Sequence, residues 1–269
     1  MTNAITRNDN TNKTMITSTQ NPKLKLVRAL AGRPKERREA GAFLAEGARL
    51  VEEALASSWP IRFVLYAQGL SGRSAQALEA LARAGVETES VEAALFDSVS
   101  ETESSQGILA VMELSVLPAP PLPTFSLILD QIRDPGNLGT LLRSAQAAGV
   151  DSVLIPPETT DPFAPKVVRA GMGAHFRLPV ERASWEEIRA RLGKTPVYLA
   201  ETENAIPCWQ ADFKSALVLI VGNEAEGASP EARALASQNV IVPMPGKMES
   251  LNAAVAGSVL MFEVVRQRS

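Results

Sequence analysis

Three stretches of this chain share one build, an apolar run typical of a buried strand followed by a polar loop that contains glycine. They are residues 127–145 (LILDQIRDPGNLGTLLRSA), residues 216–227 (ALVLIVGNEAEG) and residues 240–261 (VIVPMPGKMESLNAAVAGSVLM). Short apolar runs of this kind indicate strands buried on both faces, as in parallel sheets covered by helices. The three loops would then meet at the carboxyl ends of the strands, where open α/β sheets bind ligands.

From residue 125 onward the apolar pattern alternates between strand and helix. Strands are predicted over residues 126–130, 152–155, 195–200, 216–221 and 240–242, and helices over residues 138–148, 166–170, 185–192, 230–236 and 251–265. This alternation predicts a parallel sheet with helices on both faces. A nucleotide-binding Rossmann domain is the competing interpretation, and it is disfavoured because DQIRDPGNLGT lacks the glycine spacing of GxGxxG.

A smaller α/β domain is predicted ahead of this sheet, over residues 16–115. It combines predicted helices at 21–30 and 75–84 with predicted strands at 61–67, 86–91 and 107–113. Residues 116–124 (VLPAPPLPT) are rich in proline and predict a semi-rigid linker, which sets the second domain at 125–269. Residues 1–15, rich in Thr and Asn, predict a disordered leader.

The composition limits the kinds of metal site and catalytic chemistry that the chain can support. A single cysteine, Cys208, excludes an intramolecular disulfide and a cysteine-based metal cage, and a single histidine, His175, leaves little for zinc or for histidine acid–base catalysis. No apolar run approaches the length of a membrane span, and the polar first residues have no signal-peptide core. The sequence favours a cytoplasmic protein that uses no metal.

Cationic residues gather near the N-terminus, although the chain has a formal net charge of -3. Such a run suits contacts with phosphates, while a solvated helix face explains any single one of these charges equally well. The candidate phosphate-binding residues are Lys23, Lys25, Arg28, Arg33, Lys35, Arg37 and Arg38.

In this order, the three stretches resemble the three motifs of the SpoU (TrmH) family of RNA ribose 2′-O-methyltransferases, within the SPOUT superfamily. Residues 16–115 are more weakly similar to the substrate-binding domain that precedes many SpoU domains. This similarity implies that the cationic residues near the N-terminus bind RNA. The resemblance implies a catalytic domain with a trefoil knot, S-adenosylmethionine as cofactor, a homodimer, and ribosomal RNA rather than transfer RNA as substrate. The matching residues are Asn137, Arg143, Gly222, Glu224, Gly227, Pro243, Met244, Gly246, Ser250, Leu251 and Asn252.

The resemblance also implies catalytic roles. By this resemblance, Arg143 would be the principal catalytic residue, either assisting deprotonation of the ribose hydroxyl or fixing a nearby phosphate. Because arginine keeps its proton in proteins, positioning and charge stabilisation are favoured over direct proton removal. Asn137 would orient Arg143 or cap its helix, and Glu224 would bind Arg143 or an RNA hydroxyl, or hold its own loop.

The remaining candidates are assigned to the cofactor by the same resemblance. Gly222 would let the backbone approach the adenosine, and Val242 and Leu251 would hold the adenine through main-chain groups. Ser250 and Asn252 would connect the methionine end of the cofactor to the catalytic arginine, although Ser250 alone would be interpreted as a helix cap. A non-catalytic RNA-binding protein of the same fold is the other alternative, disfavoured because the catalytic candidates are all present.

Overall fold

The computed structural model describes residues 15–102, 104–223, 226–246, 248 and 250–269. The helices are α1 Pro22–Ala31, α2 Pro34–Ala40, α3 Ala48–Ala56, α4 Gly72–Arg83, α5 Ala93–Asp97, α6 Pro135–Ala147, α7 Pro165–Gly171, α8 Trp185–Leu192, α9 Pro230–Leu235 and α10 Ala253–Arg268. The strands are β1 Ala42–Glu46, β2 Ile61–Ala67, β3 Thr88–Val91, β4 Ile108–Glu113, β5 Phe125–Leu129, β6 Ser152–Ile155, β7 Val180–Arg182, β8 Val197–Ala200, β9 Ala205–Pro207, β10 Leu217–Val221 and β11 Gln238–Ile241. Within the described part of the chain, no helix is long and apolar enough to cross a membrane.

The first half forms a small mixed sheet of four strands in the order β1-β4-β2-β3. The pairs β1–β4 and β2–β4 are antiparallel, and β2–β3 is parallel. Helix α1 begins at Pro22 because the side chain of Asn21 accepts a hydrogen bond from the Lys23 N–H. One face of the sheet packs on α1 and α5, and the other packs on α3 and α4.

The second half forms a seven-stranded sheet in the order β7-β6-β5-β10-β8-β11-β9, in which every neighbouring pair is parallel. Its central strands are apolar on both faces, as the sequence predicted. Leu127 and Leu129 pack under α6, α7 and α10, while Ile128 points to the opposite layer with α8 and α9. All strands therefore end at one edge of the sheet, and the loops that follow them lie along that edge.

The two halves share a buried aromatic interface. Phe43 of β1 lies 5.1 Å, between ring centroids, from Phe163 and 6.4 Å from Phe176, and Trp59 lies 5.5 Å from Phe176. These rings belong to one apolar cluster that contains residues from both halves of the chain. Aromatic pairs in such geometry contribute about 0.5–1.5 kcal/mol each beyond their buried area. The small domain is therefore packed firmly on the large one.

The only histidine, His175, is buried beside this interface. Its Nε2 lies 2.7 Å from the carbonyl oxygen of Pro162, which can only accept, so Nε2 carries the proton. The other ring nitrogen, Nδ1, is buried and has no hydrogen-bond partner among the described residues. Burial lowers the pKa of His175 from 6.5 to about 4, since the charged ring has little to replace its hydration.

This burial predicts a pH dependence of stability. Between pH 6.5 and about pH 4, His175 is protonated in the unfolded chain but neutral in the folded chain. The free energy of unfolding therefore falls as the pH is lowered through this window. Between pH 7 and pH 5 we expect a loss of about 2 kcal/mol from this residue. Urea unfolding of wild type and His175→Gln should show it, because the stability difference between them shrinks by that amount at pH 5. Equal pH profiles would contradict the prediction.

The predicted elements differ from the structure mainly at helix starts. The helix predicted over 138–148 begins at Pro135, because Asp134 caps it by accepting from the Asn137 N–H at 2.8 Å. The helix predicted over 251–265 begins at Ala253 and ends at Arg268. The strand predicted over 240–242 spans Gln238–Ile241, so Val242 lies in the loop beyond it. The short elements α5 and β9 were not predicted.

Candidate active site

The loops that follow β5, β6 and β10 are tied together along the carboxyl edge of the large sheet. The Asn223 side chain donates to the carbonyl of Gln131 at 2.9 Å, and Arg133 forms a two-pronged ion pair with Glu226. The Thr160 N–H donates to the carbonyl of Ile132 at 3.0 Å. The first two motif loops therefore meet, as the sequence predicted for the ends of buried strands.

A cavity of about 430 Å³ opens at this edge, over the ends of β8, β10 and β11. Four candidate residues line it, namely Gly222, Val242, Ser250 and Leu251. Its other lining residues come from β8, β10, β11 and the loops after them, from α9 and from α10: Ala200, Glu201, Thr202, Val221, Asn223, Glu226, Gly227, Arg233, Val240, Ile241, Met244, Ala253, Ala256 and Leu260. Its volume lies within the range of small-molecule sites, which is about 300–1,000 Å³.

A side chain at position 222 would be too close to the backbone of the loop that Gly222 begins. A Cβ at this position would lie 3.0 Å from the backbone of Ala228 and 3.1 Å from that of Gly227. The loop closes on itself through two hydrogen bonds between Asn223 and Gly227, each of 3.1 Å. A larger residue would open this turn, which forms one wall of the cavity.

The first turn of α10 is held against α6 by two asparagines. Asn252 is the N-cap of α10, and its side-chain oxygen accepts from the N–H groups of Ala254 and Val255. Its amide nitrogen donates to the side-chain oxygen of Asn137 at 3.0 Å. Asn252 rather than Ser250 therefore caps the helix, and neither asparagine lines the cavity.

Close packing fixes the position of α6 between α7 and α10. A Cβ on Gly139 would lie 2.5 Å from the Ala170 Cβ and 2.6 Å from the Val167 carbonyl oxygen. A Cβ on Gly257 would lie 2.6 Å from a methyl group of Leu141. The two glycines let the helices approach so closely that larger residues would not fit.

Arg143 lies on α6, and its side chain is exposed. No hydrogen bond or ion pair joins its guanidinium group to any described residue. It does not line the cavity, so the structure leaves it available for a ligand that comes from outside. Glu224 lies outside the described residues.

Two acidic residues at this edge were not among the candidates from the sequence. Glu201 follows β8, lines the cavity and forms an ion pair with Arg233 at 2.9 Å. Asp130 follows β5 and is fully buried; it accepts from the Ser229 N–H at 2.7 Å, and burial raises the pKa of its carboxyl. Each of the two carboxylates comes directly after an apolar strand, which is the signal that would have identified them.

The candidate RNA-binding residues fall into three groups, of which the third is the buried Arg37 alone. Lys25, Arg33, Lys35 and Arg38 are exposed. Lys23 is engaged with Glu87 and Glu89, each at 2.6 Å, and Arg28 donates to the Thr19 carbonyl at 2.9 Å.

Arg37 is buried, which differs from the RNA contact that the sequence favoured for it. Its Nε donates to Asp161 at 2.7 Å, and its Nη1 donates to the carbonyls of Leu30 and Gly32. The side chain is only 3% exposed, so it has no open surface for a nucleic acid. The structure instead gives Arg37 the role of joining α2 to the loop that follows β6.

Comparison with known families covers both halves of the chain. Residues 124–262 match the SpoU rRNA Methylase family. Residues 21–110 match the MRM3-like substrate binding domain. The first match spans the seven-stranded sheet with its cavity, and the second spans the small sheet.

Individual relatives match nearly the whole chain. The 23S rRNA (guanosine(2553)-2′-O)-methyltransferase RlmP of Bacillus subtilis (strain 168) is 35% identical over 255 residues, covering 93% of this chain and 98% of that protein. The 23S rRNA (uridine(2479)-2′-O)-methyltransferase of Streptomyces viridochromogenes is 32% identical, with 93% and 92% covered. The crystal structure of an AdoMet bound rRNA methyltransferase from Sinorhizobium meliloti aligns with a TM-score of 0.82 at 31% identity, covering 94% of this chain and 97% of that one. By sequence and by fold, the chain belongs to the SpoU rRNA methylase family.

Proposed function

We propose that this chain transfers a methyl group from S-adenosylmethionine to a ribose 2′-hydroxyl of 23S-type ribosomal RNA. The observation that carries the proposal is the cavity formed by the second and third motif loops, next to the helix pair α6–α10. Its two relatives from Bacillus and Streptomyces act on 23S ribosomal RNA, and their similarity extends through both halves of the chain. The match of residues 21–110 to a substrate-binding domain favours ribosomal RNA over transfer RNA.

The cavity has the chemistry that this cofactor requires. Val221, Val240 and Leu260 supply apolar surface for an adenine ring, while Glu201 and Thr202 supply oxygen acceptors at the rim for its polar groups. When bound, the cofactor supplies a sulfonium methyl group that is open to displacement.

The chain must hold the ribose oxygen in line with that methyl group and stabilise the charge that develops as the hydroxyl loses its proton. We assign this stabilisation to Arg143, whose charged guanidinium can bind a phosphate next to the reacting ribose. Asn137 and Asn252 are positioning residues in this proposal, because their hydrogen bond fixes the start of α10 against α6. The role of Glu224, which is to bind Arg143 or an RNA hydroxyl or to hold its own loop, stays a prediction.

An apolar face on α10 supports a homodimer as part of the proposal. Val255, Val259 and Phe262 recur at helical spacing and are 50%, 42% and 49% exposed. A stripe of this kind on an otherwise packed helix is typical of an interface. Sedimentation velocity at micromolar concentration should show a dimer, and a monomer there would oppose this part of the proposal.

Filling the cavity should abolish cofactor binding. Ala256 lies on α10 and lines the cavity, so the ring of Ala256→Phe would occupy space that the cofactor needs. We expect S-adenosylmethionine to bind at least about tenfold more weakly by calorimetry, a loss of about 1.4 kcal/mol or more. Ala190→Phe, at an exposed position of α8, is the matched control and should bind normally. Unchanged affinity in a folded Ala256→Phe protein would place the cofactor elsewhere.

A further inference from the structure

A second, larger cleft lies between the two domains. It has a volume of about 700 Å³ and is lined on one side by α2 with its cap residue Arg33, and on the other by the loop after β6 and the last residue of β7. Its lining residues are Arg33, Pro34, Lys35, Arg37, Arg38, Glu158, Thr159, Thr160, Asp161, Ala164 and Arg182. No sequence motif singled out Arg182.

The cleft is cationic in a chain whose net charge is negative. Arg37 and Asp161 neutralise each other in its floor, at 2.7 Å. Arg33, Arg38 and Arg182 are exposed and form no ion pair with any described carboxylate. Among the described residues, Lys35 forms an ion pair with the exposed Glu39 alone, at 3.5 Å. Besides Asp161, the lining contains one acidic residue, Glu158. Cations left unpaired in a concave surface attract a polyanion.

Arg182 forms no ion pair with any described residue, whereas Glu181, its neighbour on β7, does. Glu181, the residue before it, is bound by both Nη atoms of Arg191 at 2.6 and 2.7 Å. The carboxylate of Glu181 is therefore already bound by another arginine, Arg191. Arg182 at the end of β7 points its charge to the cleft instead.

The cleft and the cofactor cavity lie on one edge of the large sheet. Thr160 in the cleft wall donates to the carbonyls of Ile132 and Arg133, at 3.0 and 2.6 Å, in the loop after β5. That loop is tied in turn to the loop after β10, which lines the cavity. Helix α6 starts between the two sites. A strand of nucleic acid in the cleft would therefore run along this edge toward the cavity.

The cleft is also preformed. The buried Arg37–Asp161 pair and the aromatic cluster around Phe43 and Phe163 fix its two walls relative to each other. Because the two domains are already fixed relative to each other, a ligand loses little binding free energy in ordering them.

We propose that this cleft is an RNA-docking groove shared by the two domains, in which Arg33, Lys35 and Arg38 from the small domain and Arg182 from the large domain bind backbone phosphates of the ribosomal RNA next to the methylated nucleotide. The inference rests on the proposed function and adds to it a contact from the catalytic domain. Its ligand chemistry is phosphate recognised by guanidinium groups, for which arginine is the preferred residue.

The test is binding of an unmodified 23S-type RNA transcript by Arg38→Ala/Arg182→Ala over a series of salt concentrations. Each lost phosphate contact lowers the slope of log affinity against log salt by about 0.7–0.9, so the double variant should lose about 1.4–1.8. In methyl transfer its KM for RNA should rise while kcat and cofactor affinity stay unchanged. Arg83→Ala/Arg189→Ala removes the same charge from exposed helix positions outside the cleft and is the matched control.

The cleft would not be an RNA-docking groove if the slope of log affinity against log salt fell equally in the control, or did not fall in the double variant. Methyl transfer by the wild type in the same assay separates this failure from failure of the proposed function. An active wild type with unaffected cleft variants removes the groove alone. An inactive wild type whose RNA binding still depends on Arg38 and Arg182 removes the methyltransferase proposal and keeps the groove.

Discussion

Replacing Arg37 with alanine should lower the free energy of unfolding by about 3–5 kcal/mol, because it leaves Asp161 charged and buried without its partner. Asp161 has a side chain only 9% exposed, and the Arg37 guanidinium also satisfies two backbone carbonyls that would lose their donors. Because the pair joins α2 to the loop after β6, the loss should weaken the attachment of the small domain as well. Urea unfolding at pH 7 would measure it.

The matched control for Arg37→Ala is Lys35→Ala on the same short helix. Lys35 is 72% exposed, so its pair with Glu39 is well screened and its removal should cost less than about 0.5 kcal/mol. Adding Asp161→Asn to Arg37→Ala should recover part of the lost stability, since the remaining side chain is then uncharged. A loss below about 1 kcal/mol for Arg37→Ala would show that the ion pair does not hold the domains together.

Replacing Arg143 with alanine should lower kcat about 10²–10⁴-fold while cofactor affinity stays unchanged. The physical reason is that Arg143 lies outside the cavity lining and forms no bond with described residues, so its removal disturbs neither the pocket nor the fold. Single-turnover methyl transfer with saturating RNA would measure the chemical step directly.

Gln146→Ala, at an exposed position on the same helix, is the control for Arg143→Ala and should keep wild-type activity. Arg143→Lys should recover only part of the rate, because lysine keeps the charge but not the planar fork that grips a phosphate. Loss of cofactor binding in Arg143→Ala, or an unchanged rate, would remove Arg143 from its proposed role.

The fold was largely predictable because buried parallel strands leave a clear mark. The run around Leu219 is apolar at every position and the run around Leu127 at every position but Ser126, and the structure places both in the centre of the sheet. The α/β class and the parallel sheet are confirmed. The knot of the SpoU domain came from the family resemblance alone, since the path of the chain through a loop leaves no periodic trace in a sequence.

The site was predictable in its loops and less so in its details. Gly222, Val242, Ser250 and Leu251, from the second and third motif loops, line one cavity. The first motif loop is tied to the second and does not line that cavity. The sequence did not reveal that Asn252 would cap α10, because Ser250 is an equally good cap by residue type.

The sequence alone does not show which charged residues are buried. Arg37 is one of several adjacent charges, and the partner that buries it, Asp161, is 124 residues away in the chain. Arg182 was missed for a related reason. It stands at the end of a short strand without a glycine loop, so only the assembled sheet shows what surrounds it.

The central claim is methylation of a ribose in ribosomal RNA, and methyl transfer from labelled S-adenosylmethionine to separate pools of ribosomal and transfer RNA tests it most directly. We predict label in large-subunit ribosomal RNA, recovered after alkaline hydrolysis in one resistant dinucleotide, and its loss with Arg143→Ala. A methylated 2′-oxygen cannot assist cleavage of the neighbouring phosphodiester, which is why the dinucleotide survives. Label recovered only in mononucleotides, or no transfer to any RNA by a protein that still binds the cofactor, would contradict the account.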